Sequence, residues 1–400
     1  MTPGARLAAA IPILDAVIAG QAAEPALLRW ARSARYAGSK DRAAVRDLVF
    51  EALRKRRSAQ WCSGQSEETG RSLAVGLTAM TGAEAGSSAR ALAAFSGEGY
   101  APPPLSETER AALRDLGTAP REVALDIPAG LSAVLDRALG AETDAVMAAL
   151  RRRAPLDLRV NTLKTDRPAA AATLAAAGIE TAAVGDIPSA LRITGPKTGI
   201  KATQAYADGL VDIQDAASQA VVLRAGAAPG QRVLDFCAGG GGKALALAAA
   251  MARQGVVVAH DADPARMADL PKRADRAGVR IAMRATAELS AEPPFDMVFV
   301  DAPCSGSGAW RRSPDSKWRL DADGLARYAA QQAAILDAAT AHVAPGGRLI
   351  YVTCALFREE NEDQTAAFLT RHPAARIVDE MRLGAGDPGD GFYFCAIVLV

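Results

Sequence analysis

Aromatic residues are scarce in this 400-residue chain, at 5%, and there are only three histidines. His260, His342 and His372 lie far apart and form no ligand cluster. The five cysteines, Cys62, Cys237, Cys304, Cys354 and Cys395, contain no Cys-x-x-Cys pair, which excludes a zinc ribbon and a disulfide scaffold. No metal is expected, and an odd number of scattered thiols fits a reducing cytoplasm. No run approaches the roughly 18 apolar residues of a membrane span. An excess of one charge is also missing: 46 Lys+Arg face 45 Asp+Glu, for a net of +1. Taken whole, that figure speaks against a strongly basic nucleic-acid binder, although an average can hide segregated charge.

Half the chain is apolar, enough for full cores, and its length predicts two or three domains. The N-terminal apolar run mimics a signal peptide, but Asp15 interrupts it, and Leu7, Ile11, Leu14 and Ile18 recur at helical spacing. An amphipathic core helix is expected there. Residues 1–145 read as all-helical, with a clear stripe of Val45, Leu48, Val49, Ala52 and Leu53. The Gly/Ser-rich stretch from Cys62 to Ser88 and the run Pro102–Pro104 read as loops. Residues 146–210 read as a small α+β module: LDLRVNTLK (156–164) alternates like a strand, and PAAAATLAAAG (168–178) reads as a helix closed by Gly178. From 211 to 400, RVLDF (232–236), VVVAHD (256–261), FDMVFVD (295–301), GGRLIYVTC (346–354) and FYFCAIVLV (392–400) alternate with helical segments. That pattern predicts a mostly parallel sheet covered on both faces.

VLDFCAGGGGKALALAAA (233–250) is a strand, a glycine-rich turn and a helix, a junction that lets a ligand approach the backbone. Asp261, at the end of the next strand and 22 residues after Gly239, suits a ribose diol. Together they point to an adenosine-type cofactor without naming it. Gly239, Gly241 and Ala244 satisfy Gly-x-Gly-x-x-Ala, so a dinucleotide oxidoreductase stays open; a Walker A loop does not, because Ala244 replaces its Ser/Thr.

DAPCSGSG (301–308) and VTCA (352–355) each follow a buried strand, which brings Asp301, Cys304 and Cys354 to the crevice at the strand ends. A lone cysteine usually packs as a small hydrophobe, the reading given to Cys395, while Cys62 is expected to be inert at the surface. Two cysteines past sheet strands, one behind Asp-x-Pro, are harder to dismiss. They suit methylation of cytosine at C5: a thiolate adds at C6, a carboxyl group supports the developing charge at N3, and a base later removes the C5 proton. A zinc deaminase is excluded, since Ser307 stands where its second cysteine belongs and no His-x-Glu occurs.

With these motifs in order, the chain resembles the NOL1/NOP2/Sun RNA cytosine-5 methyltransferases, the RsmB/Sun branch most closely. The resemblance covers roughly residues 150–400 through DLRVNTLK (157–164), VDIQDAASQAV (211–221), DFCAGGGGK (235–243), DAPCSGSG with RRSPDSKW (311–318), and VTCALFREEN (352–361). It implies a Rossmann-like catalytic domain (211–400) and S-adenosylmethionine as cofactor, held by Asp235, Cys237, Ala238, Gly239, Gly240, Gly241, Gly242, Lys243, Asp261 and Asp301. It implies that Cys354 is the nucleophile, that Cys304 assists release, and that Asp301 contacts both cytosine and the methyl donor. Arg159, Asn161, Arg311, Arg312 and Lys317 would face the RNA, small-subunit rRNA first and tRNA as the alternative, in a protein expected to be monomeric. A non-catalytic RNA-binding factor on the same fold is the remaining alternative.

Three departures stand out. The family's Ala-Ala-Pro-Gly-Gly-Lys loop reads Ala238-Gly239-Gly240-Gly241-Gly242-Lys243 here, which is expected to loosen the turn and weaken cofactor binding. Ala355 follows the nucleophile where Ser is common, and residues 280–289 lack the Asp that contacts adenine. The helical region resembles a NusB-like RNA-binding domain. Its residues 29–57 hold ten Lys/Arg against three acids, and residues 58–150 hold twelve acids against six bases, so the neutral total is a cancellation. Arg54-Lys55-Arg56-Arg57 and Arg151-Arg152-Arg153 are expected to contact phosphate.

Overall fold

The computed structural model describes residues 1–84, 92–195, 199–386 and 388–399. Its contacts divide the chain into two units, one of Met1–Arg153 with Trp310–Asp321, the other of Ala154–Ala309 with Ala322–Val400.

The first unit is helical, opening with α1 (Pro3–Ile18), α2 (Ala23–Ser33), α3 (Ser39–Arg54), α4 (Arg56–Ser63) and α5 (Gly70–Glu84). Thr2 caps α1 by accepting the Ala5 amide at 3.2 Å, with Pro3 beside it in the first turn. Leu7 and Leu14 point inward as their spacing requires, but Ala10, Ile13 and Val17 complete the buried face while Ile11 and Ile18 lie at its margin. Val45, Val49, Ala52 and Leu53 of α3 are fully buried.

Of the stretch after Cys62 expected as a loop, residues 64–69 are one, but Gly70–Glu84 forms α5 instead. Gly70 and Gly76 are packing residues there: a Cβ on Gly76 would lie 1.7 Å from the Ala59 carbonyl oxygen, and one on Gly70 2.1 Å from that of Ile11. Glycine composition marked a close helix contact, not a chain reversal. Residues 85–88 of that stretch lie outside the described residues. Cys62 is also corrected, since it is buried in this core and desolvation pushes its thiol up to about 11.

The second unit contains two sheets. In the smaller, β1 (Asp157–Val160), β2 (Thr181–Ala183), β3 (Ala190–Ile193) and β4 (Val211–Ile213) are antiparallel in the order β2-β3-β1-β4. Helix Arg167–Ala176 packs on it, capped by Asp166, which accepts the Ala169 amide at 2.8 Å, and stopped at Gly178 with φ +75°. Strand β1 is buried throughout despite its alternating sequence, because Asp157 pairs with Arg192 at 2.8 Å and Arg159 donates to the Gly242 carbonyl at 3.1 Å.

The larger sheet comprises β5 (Arg232–Asp235), β6 (Val256–Ala259), β7 (Ala282–Met283), β8 (Phe295–Asp301), β9 (Val343–Thr353), β10 (Ala375–Leu383) and β11 (Phe392–Leu399). Their order is β10-β11-β9-β8-β5-β6-β7, with β7 to β9 mutually parallel and β11 antiparallel between β9 and β10. Apolar clusters cover both faces, as expected for a doubly wound, Rossmann-like sheet. From β5 the chain moves outward to β6 and β7, then returns to β8 on the other side. The loops after β5, β6, β8 and β9 therefore open on one edge around a topological switch point.

Candidate active site at the carboxyl ends of the strands

The glycine loop leaves β5 beneath this edge. Gly239 and Gly241 adopt φ of +50° and +77°, and a Cβ on Gly241 would come within 2.2 Å of Leu270 Cδ1. The loop is tied to the end of β6: the Ala238 amide donates to the His260 carbonyl at 2.8 Å and the Gly239 amide to Asp261 Oδ2 at 2.9 Å. Asp261 also accepts the Asp263 amide at 3.0 Å and pairs with the largely exposed Arg266 at 3.1 Å. A carboxylate with one solvent-exposed partner retains acceptor capacity for a ribose diol. Gly240, the position expected to loosen the turn, has its carbonyl held by Arg273, which is anchored on Asp212 at 2.8 Å. The turn is braced from outside.

Asp235 is fully buried under this loop. Among the described residues, no donor meets its oxygens at full hydrogen-bonding geometry. Burial first, then the charge of Asp301, push its carboxyl up to about 7, with Lys243 and the Ala244 amide offsetting only part.

Lys243 begins the helix Gly242–Ala250 and forms an ion pair with Asp301, the last residue of β8. Burial alone would lower its amine, but the charge and hydrogen bond of Asp301, followed by the charges of Cys354 and Asp235, raise it overall. Beside this pair, Cys304 Sγ and Cys354 Sγ lie 3.4 Å apart. The Ala302 amide donates to the Val352 carbonyl, and the Gly308 amide to the Cys354 carbonyl, both at 2.9 Å, clamping the two thiol-bearing loops together. The hydrogen bond with Cys354, then burial, then the charges of Cys354 and Glu360, drive the Cys304 thiol well above its ordinary value. Cys237 is likewise raised by burial, and Cys395, inside β11, is pushed up to about 12. Asp301, Cys304 and Cys354 thus meet at one place, as the strand pattern anticipated, with Lys243 beside them.

Two side-chain sets escaped the sequence reading. Glu360 is buried behind Cys304, and its only signal was a place in the motif VTCALFREEN (352–361). Thr286 is the first hydroxyl after β7, and its Oγ1 lies 2.9 Å from His260 Nε2. The other ring nitrogen of His260, Nδ1, lies 2.8 Å from the Phe236 carbonyl. That oxygen can only accept, so in the neutral ring Nε2 accepts the Thr286 proton.

Several residues expected on the RNA side are buried or already hydrogen-bonded within the protein. Asn161 spends its amide donors on the Gly209 and Ala277 carbonyls at 2.9 and 2.8 Å, and its oxygen on the Leu163 amide. Arg159 is buried under the cofactor loop, and desolvation brings its guanidinium down to about 10. Lys317 is fully buried, with its ammonium 4.6 and 5.9 Å from the Trp318 and Trp310 ring centroids and no hydrogen-bond acceptor among the described residues. Burial lowers it to about 8. Arg311 is buried as well, and Arg312 is half-buried. Trp318, in turn, donates to the Leu53 carbonyl at 2.6 Å within the helical unit.

The basic runs are also mostly engaged within that unit. Lys55 pairs with Glu51 at 3.1 Å, Arg56 with Glu68 at 2.5 Å, Arg151 with Asp126 at 2.7 Å and Arg153 with Asp47 at 2.8 Å, while Arg57 donates to the Ile127 carbonyl and Arg54 is buried. Arg29, Arg32, Arg35 and Lys40 are exposed instead, as is Tyr36, at 72%.

Among the described residues, no group of His, Cys, Asp and Glu is placed to hold a metal, and no helix is long and apolar enough to cross a membrane. Residues 222–386 match the family model of the 16S rRNA methyltransferases RsmB/F, and residues 127–199 match the ferredoxin-like domain of RsmF/B-like methyltransferases. The ribosomal RNA small subunit methyltransferase B of Salmonella typhi is 34% identical over 285 residues, 68% of this chain and 66% of that protein. The chain belongs to the RsmB/F methyltransferase family. The protein of the same name from Klebsiella pneumoniae is 35% identical over 267 residues, covering 63% of this chain and 61% of its own length. The chain thus aligns with just under two thirds of these relatives. The same fold also appears in solved structures: that of PH0851 matches with a TM-score of 0.73 at 22% identity over 99% of both chains. NSun6 from Pyrococcus horikoshii, solved with SFG, matches at 0.61 and 17% identity over 68% of this chain and 98% of its own.

Proposed function

We propose that this chain is an S-adenosylmethionine-dependent RNA cytosine-C5 methyltransferase that acts on small-subunit rRNA. The observation that carries the reading is the Cys304–Cys354 pair, 3.4 Å apart, beside the Lys243–Asp301 ion pair at a switch point. The names of the curated relatives support the rRNA substrate. The cofactor supplies an electrophilic methyl group on its sulfonium. Gly239, Gly240 and Gly241 would let it approach the backbone, and Asp261 would take the ribose hydroxyls once Arg266 swings away. The Thr286 hydroxyl, its proton spent on His260, would offer acceptor lone pairs to the adenine amino group.

Cys354 adds as a thiolate to C6 of cytosine, with Asp301 near N3. The enamine-like C5 then accepts the methyl group. A base takes the C5 proton, the C6–S bond breaks and its electrons return to sulfur. Cys304, hydrogen-bonded to Cys354, stabilises the departing thiolate. Residues 1–145 and the 146–210 module would hold the RNA, with Arg29, Arg32, Arg35 and Lys40 as the phosphate contacts and Tyr36 as a stacking platform.

Incubation with unmodified rRNA and tritiated S-adenosylmethionine tests the reading. Cys354→Ala should abolish both methyl transfer and the covalent RNA adduct, while Cys304→Ala should accumulate the adduct. Normal turnover by Cys304→Ala would sink the two-thiol mechanism.

A further inference from the structure

Two thiols sharing one hydrogen bond can act as a pair only if they hold different protonation states, and something must break their symmetry. Glu360 is placed to do so. It ends the short turn Arg358–Glu360, six residues after Cys354, and is fully buried. Its Oε1 accepts the Ser305 amide at 2.7 Å and Gln332 Nε2 at 3.0 Å, and its Oε2 accepts the Ser305 hydroxyl at 2.5 Å. Gln332 also reaches the Pro303 carbonyl at 3.0 Å, so the network grips the backbone on both sides of Cys304. The Tyr351 hydroxyl donates to the Glu360 carbonyl at 2.7 Å and seats the turn on β9.

A buried carboxylate is a costly way to brace a loop that neutral groups could hold. The charges around the pair are also unequal. Lys243, paired with Asp301, lies close enough to Cys354 for that thiol's charge to raise its amine, whereas Glu360 lies behind Cys304 and opposes a second anion there. Glu359 and Tyr351 also face Glu360, with Cys304 on the loop it holds.

We propose that Glu360 is the positioning residue that assigns the two thiols their roles, holding the Cys304 loop and keeping Cys304 protonated so that Cys354 attacks. This rests on the two-thiol reading above.

The test is iodoacetamide alkylation of the full-length protein across pH, with each cysteine followed by peptide mass spectrometry. In the wild type, Cys354 should be labelled at lower pH than Cys304; the reverse order overturns the proposal whatever the variants do. Glu360→Gln should move the Cys304 profile down by about one pH unit, roughly tenfold more labelling at a fixed pH below its midpoint. Glu360→Asp, which keeps the charge, should leave that profile in place. An unmoved Cys304 profile in a Glu360→Gln protein with unchanged thermal unfolding, or a Glu360→Asp profile that falls, would reduce Glu360 to a packing residue. Those results would leave the Cys354→Ala outcome untouched, so the two readings fail separately.

Discussion

Lys243 and Asp301 are 58 residues apart in sequence and paired in space, one opening the helix after the glycine loop, the other closing β8. The pair joins the expected cofactor loop to the expected substrate loop and brings a cation beside Cys354. Lys243→Met should therefore affect chemistry as well as binding. The expected outcome is at least a hundredfold loss of methyl transfer and roughly tenfold slower alkylation of Cys354 at pH 7. Stopped-time alkylation of both proteins measures the second effect without RNA.

Asp235 makes a pH-dependent prediction. Its carboxyl titrates near 7 when folded, against 3.8 when exposed, so the folded state holds the proton more tightly. Stability from this group is complete at low pH and declines as pH rises from about 4 through 7. Asp235→Asn removes the buried charge. It should be neutral at pH 4 and stabilising at pH 8.5, by up to about 4 kcal/mol. Thermal melts across that range would show an invariant difference if burial were not the cause.

Gly241→Ala tests the loop. With φ at +77° and Leu270 Cδ1 2.2 Å from the new Cβ, both backbone and packing object. A loss of about 2–3 kcal/mol in urea unfolding is expected. Calorimetry should also show weaker binding of S-adenosylhomocysteine.

Thr286→Val removes the proposed adenine contact while keeping shape. Binding of S-adenosylhomocysteine should weaken by roughly tenfold, the worth of one hydrogen bond. An inosine analogue, whose purine carries oxygen in place of the amino group, should bind both proteins alike; a tenfold loss for both ligands would point to general loop damage.

On the helical unit, exposed and paired arginines should part company. Replacing Arg29, Arg32 and Arg35 by alanine is expected to weaken rRNA binding and lower the slope of log K against log salt by about 2–3, with little change in melting temperature. Arg151→Ala should do the opposite, because it removes the cation paired with the fully buried Asp126 and leaves that carboxylate only the Ser58 amide and hydroxyl. Filter binding at several salt concentrations separates them.

Local pattern was enough for the parallel strands, the glycine turn and the convergence of Asp301, Cys304 and Cys354, because strand period and strand-end chemistry are local properties that a parallel sheet gathers on one edge. The stretch after Cys62 misled because glycine serves both turns and close helix contacts, and only the positions of the Ala59 and Ile11 carbonyls distinguish them. Residues such as Lys317 and Asn161 carry the chemistry of RNA contacts in their side chains, but burial and hydrogen-bond partners decide whether that chemistry is available. Which arginines remain on the surface, and which acid lies behind which thiol, followed from packing between segments distant in sequence, since Coulomb energy depends on distance and desolvation rather than on composition.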